Sequence, residues 1–138
     1  MKKTLTLFSL LMICLLTIAQ NPCPQVIPAL QQWKGAKGTL ALPAQGSIVI
    51  NPQDEATLGQ TASILAEDLK ELMGWEYTII TGKAKKNAIY LSLSKPDEQL
   101  GNEGYVLAIN NKVSIEAPTA QGVFWGTRTL LQGCTVVS

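Results

Sequence analysis

Along residues 56–73 apolar side chains return every three or four positions. At 100° per residue Leu58, Ala62, Leu65, Leu69, Leu72 and Met73 gather on one arc, and Gln60, Ser63, Glu67, Lys70 and Glu71 fall away from it. That spacing predicts an amphipathic helix over 56–73. Asn51 or Asp54 stands where an N-cap belongs, Pro52 suits the first turn, and Gly74 offers a stop. Elsewhere the period shortens to two. Short β-rich runs over 38–42 and 47–50 flank a Pro43-Ala44-Gln45-Gly46 turn, and two more cover 75–80 and 88–93, with the polar TGKAKKN between them. Alternating segments over 105–109 and 113–116 flank Asn110-Asn111, residues that tolerate the positive φ of a tight turn, so they predict a hairpin.

The last periodic segment, QGVFWGTRTLLQG (121–133), is harder to read. Pro118 and Thr119 open it and Gly133 stands at its end, yet Gly122 and Gly126 lie inside, each costing about 1 kcal/mol against Ala in a helix interior. As a helix over 119–131 it places Ala120, Val123, Phe124, Thr127, Leu130 and Leu131 on a core arc. Gln121, Trp125, Arg128 and Gln132 form a second strip. Gly122, Gly126, Thr129 and Gly133 form a third, made only of small residues, which lets another backbone approach closely and so offset the glycine penalty. That neighbour is either the helix's own sheet or something beside it. The element order is strand, strand, helix, four strands, helix. It predicts an α+β domain, a largely antiparallel sheet of about six strands with two helices packed on one face.

The start of the chain follows a different pattern. Lys2 and Lys3 precede an apolar run over 5–18, and Thr17 and Ala19 stand at the −3 and −1 positions of a cleavage site before Gln20. The run is short for a membrane span. It reads as a secretory signal peptide over 1–19, with export to the periplasm or exterior and no membrane attachment after cleavage. An extended, Pro-rich lead over 20–37 follows, then the α+β domain over 38–133 and a tail over 134–138. Taking Lys2 and Lys3 from the eleven basic residues leaves nine against ten acidic ones, so no basic field exists to hold nucleic acid. Removing residues 1–19 from the 138 leaves 119, enough for a core without staples. Of three cysteines, Cys14 leaves with the signal peptide; Cys23 and Cys134 remain near the two ends, and their redox state is open.

Candidate chemistry is sparse. The chain has no histidine, which excludes a histidine triad and a histidine-bearing zinc site. Two mature cysteines cannot build a four-cysteine site. Gly82-Lys83 shares two residues with a phosphate loop, but the upstream Gly is missing and Ala84 replaces the Ser or Thr. Three acidic pairs, Asp54-Glu55, Glu67-Asp68 and Asp97-Glu98, could in principle serve glycosidase chemistry. Each has a structural explanation: a helix's first turn where the macrodipole favours acids, the exposed side of that helix beside Lys70, and a loop after Pro96. No catalytic, cofactor-binding or metal-binding residue is assigned.

Three stretches carry a resemblance: PALQQWKGAKGTLAL, ILAEDLKELMGW and LGNEGYVLAINNKVSIEAPTAQGVFWGTRTLLQ. In the last, Glu103, Gly104, Tyr105, Leu107, Ile109, Val113, Ile115, Ala117, Ala120, Gly122, Phe124, Gly126, Thr129, Leu130 and Gln132 follow the pattern of one module. The chain resembles, over about 26–132, the N-terminal domain that precedes the catalytic barrel in glycoside hydrolase family 20, the β-N-acetylhexosaminidases. Related domains precede the barrels of family 84 hexosaminidases and some glucuronidases. The resemblance implies an α+β domain packed on a (β/α)₈ barrel, the expected partner. In the family an adjacent Asp-Glu pair on that barrel performs substrate-assisted hydrolysis, the Glu as general acid and the Asp orienting the substrate's acetamido group. A barrel needs about 200 residues or more, so this chain looks like the front piece of such an enzyme and is expected to be inactive alone. The glycan substrate would meet only the barrel. The resemblance also offers the barrel as the outer neighbour of the glycine-striped helix. A second reading is a free-standing secreted module that binds carbohydrate or protein, for which Trp33, Trp75 and Trp125 are the candidate platforms.

Overall fold

The computed structural model describes residues 20–23 and 39–134. The chain divides into two compact units. Of the smaller, only residues 20–23 are described, as exposed irregular backbone; the regular structure among the described residues is in the larger. The signal peptide, residues 24–37 of the lead and Gly38 lie outside the described residues.

Among the described residues five strands and two helices follow in the order β1 (Gln45–Ile50), a 3₁₀ turn (Pro52–Asp54), α1 (Glu55–Met73), β2 (Glu76–Thr81), β3 (Ile89–Leu93), β4 (Val106–Ile109), β5 (Val113–Ala117) and α2 (Ala120–Gly133). They build one sheet in the order β2-β1-β3-β5-β4. The α+β mixture of strands and two helices is as the periodicity predicts. The sheet departs from expectation in direction and count. Four of its strands are parallel, β2 to β1 to β3 to β5, and only β4 runs antiparallel, against β5. The reason lies in the connections. A helix between β1 and β2 carries the chain back to the starting edge, so the strands it joins must be parallel, whereas the tight turn at Asn110-Asn111 permits only an antiparallel pair. The sixth strand, expected over 38–42, is absent: residues 39–43 are irregular, and β1 begins at Gln45, inside the expected turn.

Core rows run straight across the sheet. Ile48 lies beside Ile89, which lies beside Val113; Ile50, Leu91 and Ile115 form the next row, and all six are buried. On this face α1 sets down Leu58, Ala62, Leu65 and Leu69, every one fully buried. Each such leucine contributes about 1.5–3 kcal/mol, an upper bound on an extended-chain reference. Leu72 shares the arc by angle but, in the last turn, is 66 % exposed. Gly74 then ends the helix in the left-handed region (φ 70°), and its N–H and that of Trp75 return to the carbonyls of Lys70 and Leu69.

The segment 82–88 makes the other crossover. It leaves β2 level with Ile50 and enters β3 level with Ile48, having skipped β1. With α1 on one face, the right-hand rule sends this connection over the other. Val49 points to that side and is fully buried. The loop 94–105 stays at the carboxyl ends of the parallel strands and delivers the chain to β4 beside the start of α2.

Gly122 and Gly126 of α2 turn out to serve the inside, whereas a Cβ on Gly133 at its end would meet nothing within 4 Å. A methyl group built on Gly126 would overlap Ile115 Cγ2 and sit 3.2 Å from the Tyr105 ring; one built on Gly122 would overlap the Gly104 carbonyl and lie 2.7 Å from Ala117 Cβ. Thr129, on the same strip, shares a short hydrogen bond with the Tyr105 hydroxyl. The close neighbour of Gly122 and Gly126 is therefore the helix's own β5 and the 104–105 backbone, the first of the two alternatives that the spacing leaves open, and not an outer barrel. The wheel gives a strip's spacing but not which element faces it. Thr119 caps α2, its Oγ1 accepting from the Gly122 N–H at 3.0 Å and donating to the Asn102 carbonyl.

Candidate functional site

The acidic pairs do not converge. Asp54 stands at the N-cap position of α1 yet spends its carboxylate elsewhere: Oδ2 accepts from the backbone N–H of Leu93 at 2.9 Å and from Asn51 Nδ2 at 3.0 Å. It ties the start of α1 to the end of β3. Its neighbour Glu55 is exposed in the first turn, where the macrodipole favours it. Asp97 Oδ1 accepts from the Gln99 N–H at 2.8 Å and holds a turn, with Glu98 exposed beside it. Glu67 is exposed as expected, but Asp68 is not on the solvent side with Lys70. It points to the second helix, its Oδ2 2.5 Å from Arg128 Nη2, with both side chains 25 % exposed. Lys70 instead meets Glu76 at 3.7 Å in open solvent, a contact of little weight. Among the described residues no three His, Cys, Asp or Glu side chains come close enough to hold a metal ion.

Two surface clusters remain. One lies on the sheet face away from the helices. There Ser92 Oγ donates to Glu116 Oε2 at 3.4 Å, and Tyr90 stands nearby with its phenol pushed above its usual range by burial and then by the charges of Asp54 and Glu116. The other crosses the outer side of the helix pair. Arg128 stacks over the Phe124 ring at 4.8 Å from its centre while it pairs with Asp68. Trp125 meets Phe124 edge-on at 5.6 Å. The Trp125 indole nitrogen is buried with no hydrogen-bonding partner among the described residues, an uncommon state for a donor withdrawn from water. Gln121 continues the strip and donates to Glu103 at 2.8 Å.

This second cluster is partly legible in sequence. The spacing of Gln121, Trp125, Arg128 and Gln132 marks a strip, and Phe124 and Arg128 at i and i+4 are helix neighbours. The pairing with Asp68, sixty positions away in the chain, is decided by how the helices pack. Two further groups are perturbed at the rim of the core. The Tyr77 phenol is pushed up to about 12, first by burial and then by Cys134, and its hydroxyl donates to the Pro43 carbonyl at 2.8 Å. Burial also raises the Cys134 thiol. Neither group stands beside a base or in an arrangement that could activate it.

Such a molecule is a layered α+β domain whose carboxylates hold its own elements together and whose most developed surface is the outer side of its helices. Residues 23–136 match the family described as glycosyl hydrolase family 20, domain 2, and the chain belongs to that family as its pre-barrel domain. Among solved structures it is similar to the GH20 β-N-acetylhexosaminidase from Streptomyces coelicolor A3(2). The identity there is 26 % and the TM-score 0.67, over 83 % of this chain and 22 % of that one. It also shares its fold, at 17 % identity and a TM-score of 0.51, with a GH138 enzyme targeting pectin rhamnogalacturonan II, over 64 % of this chain and 10 % of that one. The chain thus spans about a fifth or less of either protein. No curated protein sequence matches it.

Proposed function

We propose that this chain is the non-catalytic N-terminal domain of an exported β-N-acetylhexosaminidase. In that whole protein, removal of terminal β-linked N-acetylhexosamine from glycans is the work of a following catalytic barrel. The observation that carries the reading is the family 20 domain 2 match over 23–136, nearly all of the chain beyond its apolar leader. The geometry supports the non-catalytic role. Hydrolysis with acetamido participation needs a proton donor at the glycosidic oxygen and a carboxylate on the acetamide, both in one pocket. Here Asp54 is engaged on β3, Asp68 on Arg128 and Asp97 on its own turn, at separate places on the domain.

The test is activity. Residues 20–138 should release no chromophore from an aryl N-acetyl-β-glucosaminide above the uncatalysed rate, whereas a polypeptide in which this chain is followed by a family 20 barrel should. Turnover by residues 20–138 that vanishes on replacing Asp54, Asp68 or Asp97 would overturn the non-catalytic assignment. Export rests on the Lys2-Lys3, apolar run and Thr17-x-Ala19 order. N-terminal sequencing of the exported protein should read Gln20 first, and a product still starting at Met1 would refute it.

A further inference from the structure

We infer that the crossover 82–88 and the hairpin turn 110–112 together bind an anionic glycan, a chain bearing carboxylate or sulfate groups. The near balance of charge beyond residue 19 hides an uneven distribution. Lys83, Lys85 and Lys86 crowd into the crossover, and no acidic residue stands between Glu76 and Asp97. The fold then adds Lys112. The Asn87 N–H donates to the Asn111 carbonyl at 2.8 Å and the Val113 N–H to that of Ala88 at 3.0 Å, so the crossover ends beside the hairpin turn. Lys83, Lys85 and Lys86 are exposed and Lys112 is half-buried. All ten acidic side chains are among the described residues, yet only Glu76 and Asp68 form ion pairs, with Lys70 and Arg128. Four like charges are thus gathered with no carboxylate paired to any of them. The fold leaves that repulsion unrelieved, and a polyanion relieves it.

The lysines are also carried on fixed backbone. Where the crossover starts, the Gly82 N–H donates to the Ile50 carbonyl at 3.1 Å. Where it ends, the Ala88 N–H returns to the Lys85 carbonyl at 3.3 Å and closes a turn in which Asn87 takes the left-handed region (φ 59°). A partner therefore meets charges whose carriers are already placed, and only the side-chain ends remain to be ordered. The crossover lies over the sheet face away from α1 and α2, so the helix layer does not obstruct it. The two signs of charge are separated along the strands. Asp97, Glu98 and Glu103 sit in the loop at the carboxyl ends, whereas Lys86 and Lys112 lie at the amino ends of β3 and β5. Such segregation gives a local positive field that net charge does not report. The choice of a glycan among polyanions rests on the function proposed above, since glycans are what an exported glycosidase meets.

Binding isotherms of residues 20–138 test this, with heparin as the sulfated probe, hyaluronan as the carboxylate-only probe and a chitin oligosaccharide as the uncharged one. At least one charged probe should bind and the uncharged one should not; heparin alone assigns sulfate, and both together show that carboxylate suffices. Lys85→Gln with Lys86→Gln should weaken binding about tenfold and lower the slope of log affinity against log salt by about two. Lys70→Gln with Lys95→Gln removes the same charge elsewhere and should weaken binding less than about twofold. In the wild type the bound probe should shift the amide resonances of 82–88 and 110–112, a readout that does not depend on the variants folding. Binding of neither charged probe, equal losses from the two pairs, or shifts confined to other segments overturns the inference. Duplex DNA or phosphatidylserine vesicles bound as tightly as the better glycan at the same salt also overturn it, by making the occupant something else. Hydrolysis of an uncharged aryl N-acetyl-β-glucosaminide by the polypeptide in which a family 20 barrel follows this chain is scored separately. An active protein that binds neither charged probe removes this site and leaves the proposed function standing, while an inactive one that binds them does the reverse.

Discussion

Alanine placed at the three interior helix glycines should give three different answers, each set by what the new methyl group meets. At Gly59, half-buried in α1, a Cβ has nothing within 4 Å. Gly59→Ala should therefore show the bare propensity gain, about 0.5–1 kcal/mol. At Gly126 the same gain competes with overlap on Ile115 Cγ2 and a 3.2 Å approach to the Tyr105 ring, where carbon atoms prefer about 3.5–4.0 Å. Both opposing groups are side chains, so part of the clash relaxes. Overpacking of this kind costs about 1–3 kcal/mol, and the net should be a loss of up to about 2 kcal/mol once the propensity gain is subtracted. At Gly122 the opposing atoms are the Gly104 carbonyl oxygen and the Ala117 methyl, neither of which can rotate away. The helix itself must lift off β5, so Gly122→Ala should be the worst of the three, a net loss of about 2 kcal/mol or more. Urea unfolding of residues 20–138 followed by far-ultraviolet circular dichroism measures this ranking. Each kcal/mol also moves the thermal midpoint by about 4–8 °C in a domain of this size. If Gly122→Ala stabilises as Gly59→Ala does, the small strip does not face the sheet, and the packing of α2 described above is wrong.

The remaining expectations are smaller. Because the folded Tyr77 phenol titrates near 12, above its unfolded value, the native state holds that proton more tightly, so its contribution is complete below about pH 10 and is lost as the pH rises toward 12. Urea midpoints of the wild type should fall between pH 9 and pH 11, and Tyr77→Phe should flatten part of that fall. A Tyr77→Phe profile as steep as the wild type's would assign the effect elsewhere. Asp68→Asn should destabilise the domain by about 1 kcal/mol, with the loss shrinking in high salt, whereas Lys70→Ala should stay within about 0.5 kcal/mol of wild type. Equal losses from the two would show that Asp68 and Arg128 are not held together in solution.

Local order is what the sequence determines by itself here. The spacing of Leu58, Ala62, Leu65 and Leu69 fixes both the existence of α1 and its buried face, since a 3.6-residue period leaves an apolar arc only one way to escape water. Gly74 marks its end because it takes the left-handed φ that other residues resist, and the hairpin turns at Asn110-Asn111 as expected, although neither residue takes the positive φ expected of it. The run EGY…GVFWG carries the family resemblance for a related reason. Gly122 and Gly126 let α2 lie close on β5 and on the Gly104-Tyr105 segment, Gly104 leaves room for the Leu100 backbone, and a close fit restricts residue type. What periodicity does not contain is the partner. An alternating strand reads the same whether its neighbour is parallel or antiparallel, so the parallel order β2-β1-β3-β5 emerges only when α1 and the 82–88 crossover are placed in space. The same limit turns Gly122 and Gly126 of α2 inward and brings Asp68 to Arg128. Each of these is decided by the element lying opposite, and contact across dozens of intervening residues is a property of the packed layers alone.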